Sequence, residues 1–141
     1  MNSTRLNYFF IGCLAVLVMC CGCGLDSLSG SKACAEQFME KFKNRDYQGM
    51  YELLDDSAKA QRSLVNFSSF HKHALDVLGE INDYRKTSFF IELDQPKEGS
   101  LHGAVYDIDF AKAKGTYTLK ILTKNGKNTI IKWTPASEKL I

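Results

Sequence analysis

Proline, cysteine and surplus charge are scarce in this sequence, and each scarcity excludes a class of protein. Two prolines in 141 residues rule out a proline-rich linker protein. The formal net charge of +2, from 18 basic and 16 acidic residues, lacks the basic surplus of a nucleic-acid-binding protein. Four of the five cysteines precede residue 24, so Cys34 has no partner for a disulfide within the domain. With 45% hydrophobic and 24% charged residues, the composition is that of one globular domain.

Motifs for metal, phosphate and covalent chemistry are also missing. After residue 23 the chain has no CxxC pair, glycine-rich phosphate loop, nucleophile elbow or zinc motif. His71 and His73 are two residues apart, so on a helix they point to opposite sides and cannot share a metal. We expect both side chains to be exposed, and His102 on a strand as well. The sequence therefore predicts no catalytic residue, no metal site and no cofactor.

The first 23 residues differ from the rest of the chain. Met1–Arg5 is polar and positive, and the 18 residues from Leu6 to Cys23 carry no charge. That length lies between a signal peptide and a membrane-spanning helix. The run is followed by small residues and not by the Lys or Arg that flank a spanning helix, which favours a cleaved signal. An uncleaved anchor and ordinary secretion are the alternatives.

The end of this run resembles a bacterial lipoprotein signal, in which the cysteine after the cleavage site receives lipid. Cys23 follows the small residue Gly22 and is the predicted lipidation site, with Cys20 and Cys21 as alternatives. The resemblance implies a protein attached by its N-terminal lipid to a cell-envelope membrane, on the extracytoplasmic side. Where there are two membranes, the outer one is favoured, because Gly24 stands in place of an aspartate that retains lipoproteins in the inner membrane.

Three parts of the chain follow from this reading. We expect a signal peptide at 1–22, a short tether at 23–31 and a single domain at 32–141. Residues 24–31 are small and polar apart from two leucines, which is typical of a tether.

Helical periodicity dominates the first half of the domain. Ser31 is the predicted cap of the first helix and Asp46 of the second, while Asp56 or Ser57 begins a short helical turn. A further helix ends at Gly79, where a left-handed residue belongs. The first helix carries an apolar stripe with i, i+3, i+4, i+7 spacing, formed by Ala35, Phe38, Met39 and Phe42.

The second half alternates with the period of strands. Four strands are predicted, at residues 84–93, 101–111, 115–124 and 129–134. Asn125-Gly126 predicts a two-residue hairpin turn, which excludes a parallel crossover, and Pro135 is expected to end the pairing. The predicted class is α+β, with N-terminal helices packed on an antiparallel four-stranded sheet.

This order of elements resembles the nuclear transport factor 2-like superfamily of cone-shaped domains. The resemblance lies in the opening helix with Ala35–Phe38 and Phe42, in the step Arg45–Tyr51, and in the helix 70–79 followed by the sheet. It covers roughly residues 31–136. It implies a curved sheet that encloses a cavity with the helices, and a second sheet face that forms dimers.

The strand alternation places one set of side chains toward that cavity. The predicted inward positions are Ala104, Tyr106, Ile108, Phe110, Tyr117, Leu119, Ile121, Ile131 and Trp133. Tyr106, Tyr117 and Trp133 are predicted to line one wall of a pocket, with Tyr47 and Tyr51 of the second helix opposite. The alternative is that these five rings pack together and fill the cone.

Acidic residues are expected outside the cavity. Asp107 and Asp109 share the other face of their strand. Enzymatic members of the superfamily carry an acid or a histidine inside the cavity, and none is predicted here. The first hypothesis is therefore a membrane-anchored, non-catalytic module that binds a small apolar or aromatic ligand or an envelope protein partner. The alternatives are a purely structural lipoprotein domain that dimerises through its sheet, and a cofactor-free isomerase, dehydratase or hydrolase.

Overall fold

Four helices precede four strands along the chain. The computed structural model describes residues 25–93 and 96–137. The predicted signal peptide and the candidate lipidation sites Cys20, Cys21 and Cys23 lie outside these residues. The elements in chain order are α1 (Leu25–Lys43), α2 (Tyr47–Glu52), α3 (Asp56–Gln61), α4 (Leu64–Leu78), β1 (Ile81–Ile91), β2 (Ser100–Phe110), β3 (Ala113–Lys124) and β4 (Lys127–Ala136).

Helix α1 has the predicted apolar stripe but begins earlier than predicted. All four stripe residues are buried in the core. The helix starts at Leu25, so residues 25–31, which we expected in a tether, are helical, and Ser31 is not its cap. Ser31 is fully buried and donates its hydroxyl hydrogen to the carbonyl of Leu28, while Gly30 lies against the Asn128 side chain. Small residues are needed here because α1 packs closely on β4.

The shorter helices are capped by side chains. Asp46 caps α2 by accepting a hydrogen bond from the Gly49 amide, as predicted, and Asp55 caps α3, which begins at Asp56. Ser63 caps α4 by accepting from the Asn66 amide. At the other end of α4, Gly79 has a φ of 86° and terminates the helix.

The strands form one antiparallel sheet in the order β1-β2-β3-β4, which confirms the predicted class. Strands β2 and β3 pair without a register shift from Ser100↔Thr123 to Phe110↔Ala113. Asn125 and Gly126 have φ values of 51° and 72°, so the predicted hairpin turn is confirmed.

A bulge in β4 changes which of its residues face the core. Ile121 pairs with Ile130 and Lys120 with Lys132, which leaves Ile131 as the extra residue. Ile130 is therefore fully buried, whereas Ile131, which we predicted to point inward, is only half-buried. The prediction for Pro135 is also wrong, because this residue pairs with Tyr117 and the strand continues to Ala136. An edge strand tolerates proline because its outer side needs no amide donor.

The core lies between α1, α4 and the inner face of the sheet. It contains Phe38, Phe42 and Phe67 from the helices and Tyr106 and Tyr117 from the strands, all at or below 2% exposure. Within the described ranges, no helix is both long enough and apolar enough to cross a membrane.

Candidate functional site

A histidine and a tyrosine meet at the centre of the core. His71 projects inward from α4, and its Nε2 lies 2.5 Å from the hydroxyl oxygen of Tyr117 on β3. The other ring nitrogen, Nδ1, lies 2.9 Å from the carbonyl oxygen of Phe67, one turn earlier in α4. A carbonyl can only accept, so Nδ1 carries the hydrogen and donates it. In the neutral ring Nε2 is then an acceptor, and the Tyr117 hydroxyl donates to it.

Burial keeps both groups of this pair neutral. Burial lowers the pKa of His71 to about 4; the hydrogen bond to the Phe67 carbonyl opposes this shift and the nearby Arg62 guanidinium adds to it. Burial also raises the pKa of Tyr117 well above its ordinary value. Near neutral pH the pair is thus a hydrogen bond between an imidazole and a phenol, with no charge.

The expectation that all three histidines are exposed is wrong for two of them. His71 is fully buried and His102 is 3% exposed, stacked on Phe89 with ring centroids 5.8 Å apart. Only His73 is exposed, on the opposite side of α4. The sequence did carry a signal for His71, because it follows Phe67 by four residues and precedes Leu75 by four, in the middle of an apolar stripe.

Aromatic rings enclose the His71 imidazole. Phe67, Phe70 and Phe42 lie closest, with ring centroids 4.2, 5.1 and 5.2 Å from that of His71. Trp133 of β4 lies at 6.2 Å and Tyr47 of α2 at 6.5 Å. Tilted and edge-on rings therefore surround His71 between the helices and the sheet.

The five rings predicted to form a pocket occupy different environments. Tyr117, Trp133 and Tyr47 converge on His71, as described above. Tyr106 is fully buried but packs against Tyr84 of β1, with ring centroids 5.9 Å apart.

The fifth ring, Tyr51 of α2, packs beside α3 and the start of α4. It packs edge-on against Phe67 at 5.6 Å, and its hydroxyl donates to the Arg62 carbonyl at 3.0 Å. This hydrogen bond fixes the backbone of the segment that joins α3 to α4. The packing of the five rings favours the filled alternative for the interior of the cone.

Next to these rings, an open groove of about 360 Å³ lies between the α3–α4 segment and β4. Phe70 and Trp133, both half-buried, line it together with Arg62. The Arg62 guanidinium carbon is 5.4 Å from the Phe70 ring centroid and 5.7 Å from that of Trp133. A cation thus stands over two aromatic faces at the edge of the cone. Sequence reasoning missed Arg62, because no local pattern links it to Trp133 on a distant strand.

A wider, open groove of about 1010 Å³ lies elsewhere on the surface, along β1, β2 and β3. Asp107 and Asp109 line it and are exposed, as predicted for the side away from the core. Arg85 lies 3.5 Å from the Asp107 carboxylate. This wider groove is thus lined by both acidic and basic side chains, so it does not attract a ligand of one particular charge.

The described residues offer little for metal or thiol chemistry. No group of three or more His, Cys, Asp or Glu side chains there is arranged to hold a metal ion. Cys34 is buried, its sulfur lies 3.6 Å from the Asn128 carbonyl, and burial raises the pKa of its thiol to about 11. A thiol with such a pKa is a poor nucleophile at neutral pH.

Comparison with known proteins defines the kind of fold. No protein-family model matches the sequence, and no curated protein matches it. The structure is similar to that of an NTF2-like protein from Cytophaga hutchinsonii, with a TM-score of 0.51 and 9% identity over 75% of this chain and 93% of that one. The chain therefore has an α+β fold of the nuclear transport factor 2-like kind, as the resemblance in sequence implied.

A second similar structure is Bd1075 from Bdellovibrio bacteriovorus. It has a TM-score of 0.51 and 18% identity over 76% of this chain. The match covers 40% of Bd1075, so this chain corresponds to less than half of that protein. At these identities both likenesses concern the fold alone.

Proposed function

We propose that this chain is a non-catalytic binding module held to a cell-envelope membrane by lipid on Cys23, and that its ligand site is the groove formed by Arg62, Phe70 and Trp133. The observation that carries the proposal is the contrast between a filled interior and an open aromatic groove topped by a cation.

The interior supports binding over catalysis. Among the described residues, His71 is the one histidine that packs against Phe42, Phe67 and Tyr117, and burial lowers the pKa of its imidazole to about 4. A general base works best when its pKa lies near the working pH, so His71 is a weak base at neutral pH. The rings around it also leave no room for a substrate at its Nε2, which the Tyr117 hydroxyl already occupies.

The groove defines a class of ligand. Two half-buried rings favour a flat apolar or aromatic body, and the guanidinium above them favours an acidic group. A small aromatic carboxylate combines both features. Its ring would rest on Trp133 while its carboxylate pairs with Arg62.

Trp133 is the only tryptophan in the chain, so its fluorescence reports this groove directly. We expect benzoate to change Trp133 emission saturably in the full-length protein, and benzyl alcohol, which lacks the charge, to bind more weakly. Arg62→Gln should weaken benzoate binding about fivefold, because an exposed ion pair contributes about 1 kcal/mol. Arg85→Gln, which removes an arginine from the other groove, is the matched control and should leave the affinity unchanged.

The groove is the wrong site if benzoate and benzyl alcohol bind equally well to wild type and to Arg62→Gln. If neither compound alters Trp133 emission or the melting temperature, the small-ligand proposal is wrong.

One observation favours a second candidate, a cofactor-free enzyme. His71 and Tyr117 form a short hydrogen bond at the place where this kind of fold encloses its cavity. Catalysis would require the rings of Phe42 and Phe67 to move so that a substrate replaces the Tyr117 hydroxyl. Dimerisation through the sheet stays a prediction.

A further inference from the structure

Helix α1 and strand β1 run side by side in opposite directions. Lys32 lies over the Phe89 ring at 5.2 Å, Glu36 pairs with Lys86 at 2.6 Å, and Glu40 accepts from the Tyr84 hydroxyl at 3.1 Å. Residue numbers thus rise along α1 as they fall along β1. The start of α1 and the end of β1 therefore lie at the same end of the domain.

Both long hairpins of the sheet meet at this end as well. Ser100, at the start of β2, pairs with Thr123 near the end of β3. The tight turn between β3 and β4 follows, and Asn128 just beyond it contacts α1 at Gly30. We call this end of the domain, with the start of α1 and the two hairpin ends, the proximal end.

Large apolar side chains are exposed at the proximal end. Leu93 is fully exposed and Ile91 is 61% exposed, just where β1 ends. A third, Phe90, is 40% exposed at the same end but on the other face of the strand, where its ring covers Gly103. Among the described residues the only other large hydrophobic side chain of this kind is Val65, on α4. Exposed apolar residues grouped in this way mark an interaction site.

Several lysines are exposed at the same end of the domain. Lys32, Lys97, Lys124 and Lys127 are exposed at the proximal end, on α1 and on the two hairpins. Lys124 pairs with Glu98 at 2.5 Å. A surface that combines exposed apolar side chains with lysines binds to anionic bilayers. The lysines pair with phosphate headgroups, and the apolar side chains enter the boundary between the headgroups and the acyl chains.

We propose that the proximal end docks on the surface of an anionic lipid bilayer, with Leu93 and Ile91 inserted at the interface. This inference rests on the proposed lipid anchor. Leu25, the first residue of α1, lies at this end, and the uncharged run that ends at Cys23 precedes it in the sequence. Helix α1 begins two residues after Cys23, so a lipid there holds the proximal end close to the membrane.

The position of Leu93 relative to the bilayer tests the inference. Full-length protein carrying Trp133→Phe and Leu93→Trp has one tryptophan at the proximal end. It is reconstituted into vesicles of phosphatidylglycerol and brominated phosphatidylcholine, since bromine quenches tryptophan at short range. We expect a blue shift and a loss of about half of the emission, as for an apolar side chain at the interface. Far-UV circular dichroism checks that the variant is folded.

The matched control places the tryptophan at the opposite end of the sheet. Ala111 is exposed in the turn after β2, about 35 Å from the proximal end along an 11-residue strand. Trp133→Phe with Ala111→Trp should show no quenching. Brominated vesicles without phosphatidylglycerol should quench the tryptophan at position 93 less, because the lysines then lack anionic headgroups.

Flotation of the same vesicles separates the two proposals. If the protein floats but the tryptophan at position 93 is not quenched, the anchor stands and docking is overturned. If the protein fails to float, or floats equally well as Cys23→Ser, the proposed anchor is wrong and the inference falls with it. A blue shift at position 93 in detergent alone, together with a dimer in sedimentation, would assign the patch to a second copy and also overturn docking.

Discussion

At the scale of single residues, the burial of His71 links the stability of the domain to pH. The pKa of its imidazole is about 4 in the folded protein, against an ordinary value of 6.5. Below pH 6.5 the unfolded chain therefore binds a proton that the folded chain does not. The contribution of neutral His71 to the free energy of unfolding is therefore fully present above pH 6.5 and is lost as the pH falls toward 4. Burial lowers the pKa of His102 as well, so this residue acts in the same direction.

We expect the free energy of unfolding to fall by about 2 kcal/mol between pH 7 and pH 5 on account of His71. Urea titrations at the two pH values measure this difference. His71→Gln should remove most of it, whatever its effect on stability at pH 7. His73→Gln, which changes the exposed histidine of the same helix, should retain the full difference. A His71→Gln variant with the wild-type dependence on pH would show that another group is responsible.

The identity of the buried residues was only partly predictable from the sequence. The apolar stripe of α1 and the inward positions of β2 and β3 are buried as the periodicity predicts. The position of His71 in the apolar stripe of α4 indicated burial, but the partner that satisfies its ring was not predictable. Tyr117 is 46 positions away in the chain, and no local pattern records their contact. Arg62 is a similar case, since only the fold brings it to Trp133.

At the scale of elements, turn and cap residues predicted the ends of helices and strands well where the interactions involve only neighbouring residues in the chain. Asp46 and the Asn125-Gly126 turn are examples, because each needs only its own neighbours. The start of α1 was missed, because Ser29, Gly30 and Ser31 are not strong helix formers and the helix continues there through packing on Asn128. The bulge at Ile131 was missed because it arises from pairing between strands.

Gly79 offers a test of how strictly one element boundary is specified. Its φ of 86° and ψ of 178° belong to a region that is open almost only to glycine. A Cβ atom there would also lie 2.8 Å from the Ala111 Cβ atom. We expect Gly79→Ala to lower the free energy of unfolding by about 1–3 kcal/mol.

The control for this prediction is Gly126→Asn. Gly126 has a φ of 72° in the β3–β4 turn, and a Cβ atom at this position meets nothing within 4 Å. Asparagine tolerates left-handed turn conformations, so this change should cost less than Gly79→Ala. Equal losses for the two variants in urea titration would mean that the backbone at Gly79 relaxes.

At the scale of the whole molecule, a small number of rings connects the helical layer to the sheet. Phe42 of α1 lies 5.2 Å from His71 of α4 and 5.5 Å from Tyr117 of β3, measured between ring centroids. This one side chain of α1 therefore contacts a second helix and an inner strand of the sheet. Because a domain of this size is stable by only about 5–15 kcal/mol, the loss of one such connection matters for the entire fold.

Phe42→Ala removes this connection. Phe42 is 1% exposed, so the change deletes a buried ring and leaves a cavity between three elements. We expect a loss of about 3–5 kcal/mol in the free energy of unfolding, measured by urea titration at pH 7. The matched control is Val65→Ala on α4, where the side chain is 72% exposed and the change should stay within about 0.5 kcal/mol. A loss of less than about 1 kcal/mol for Phe42→Ala would show that the helices and the sheet hold together without this ring.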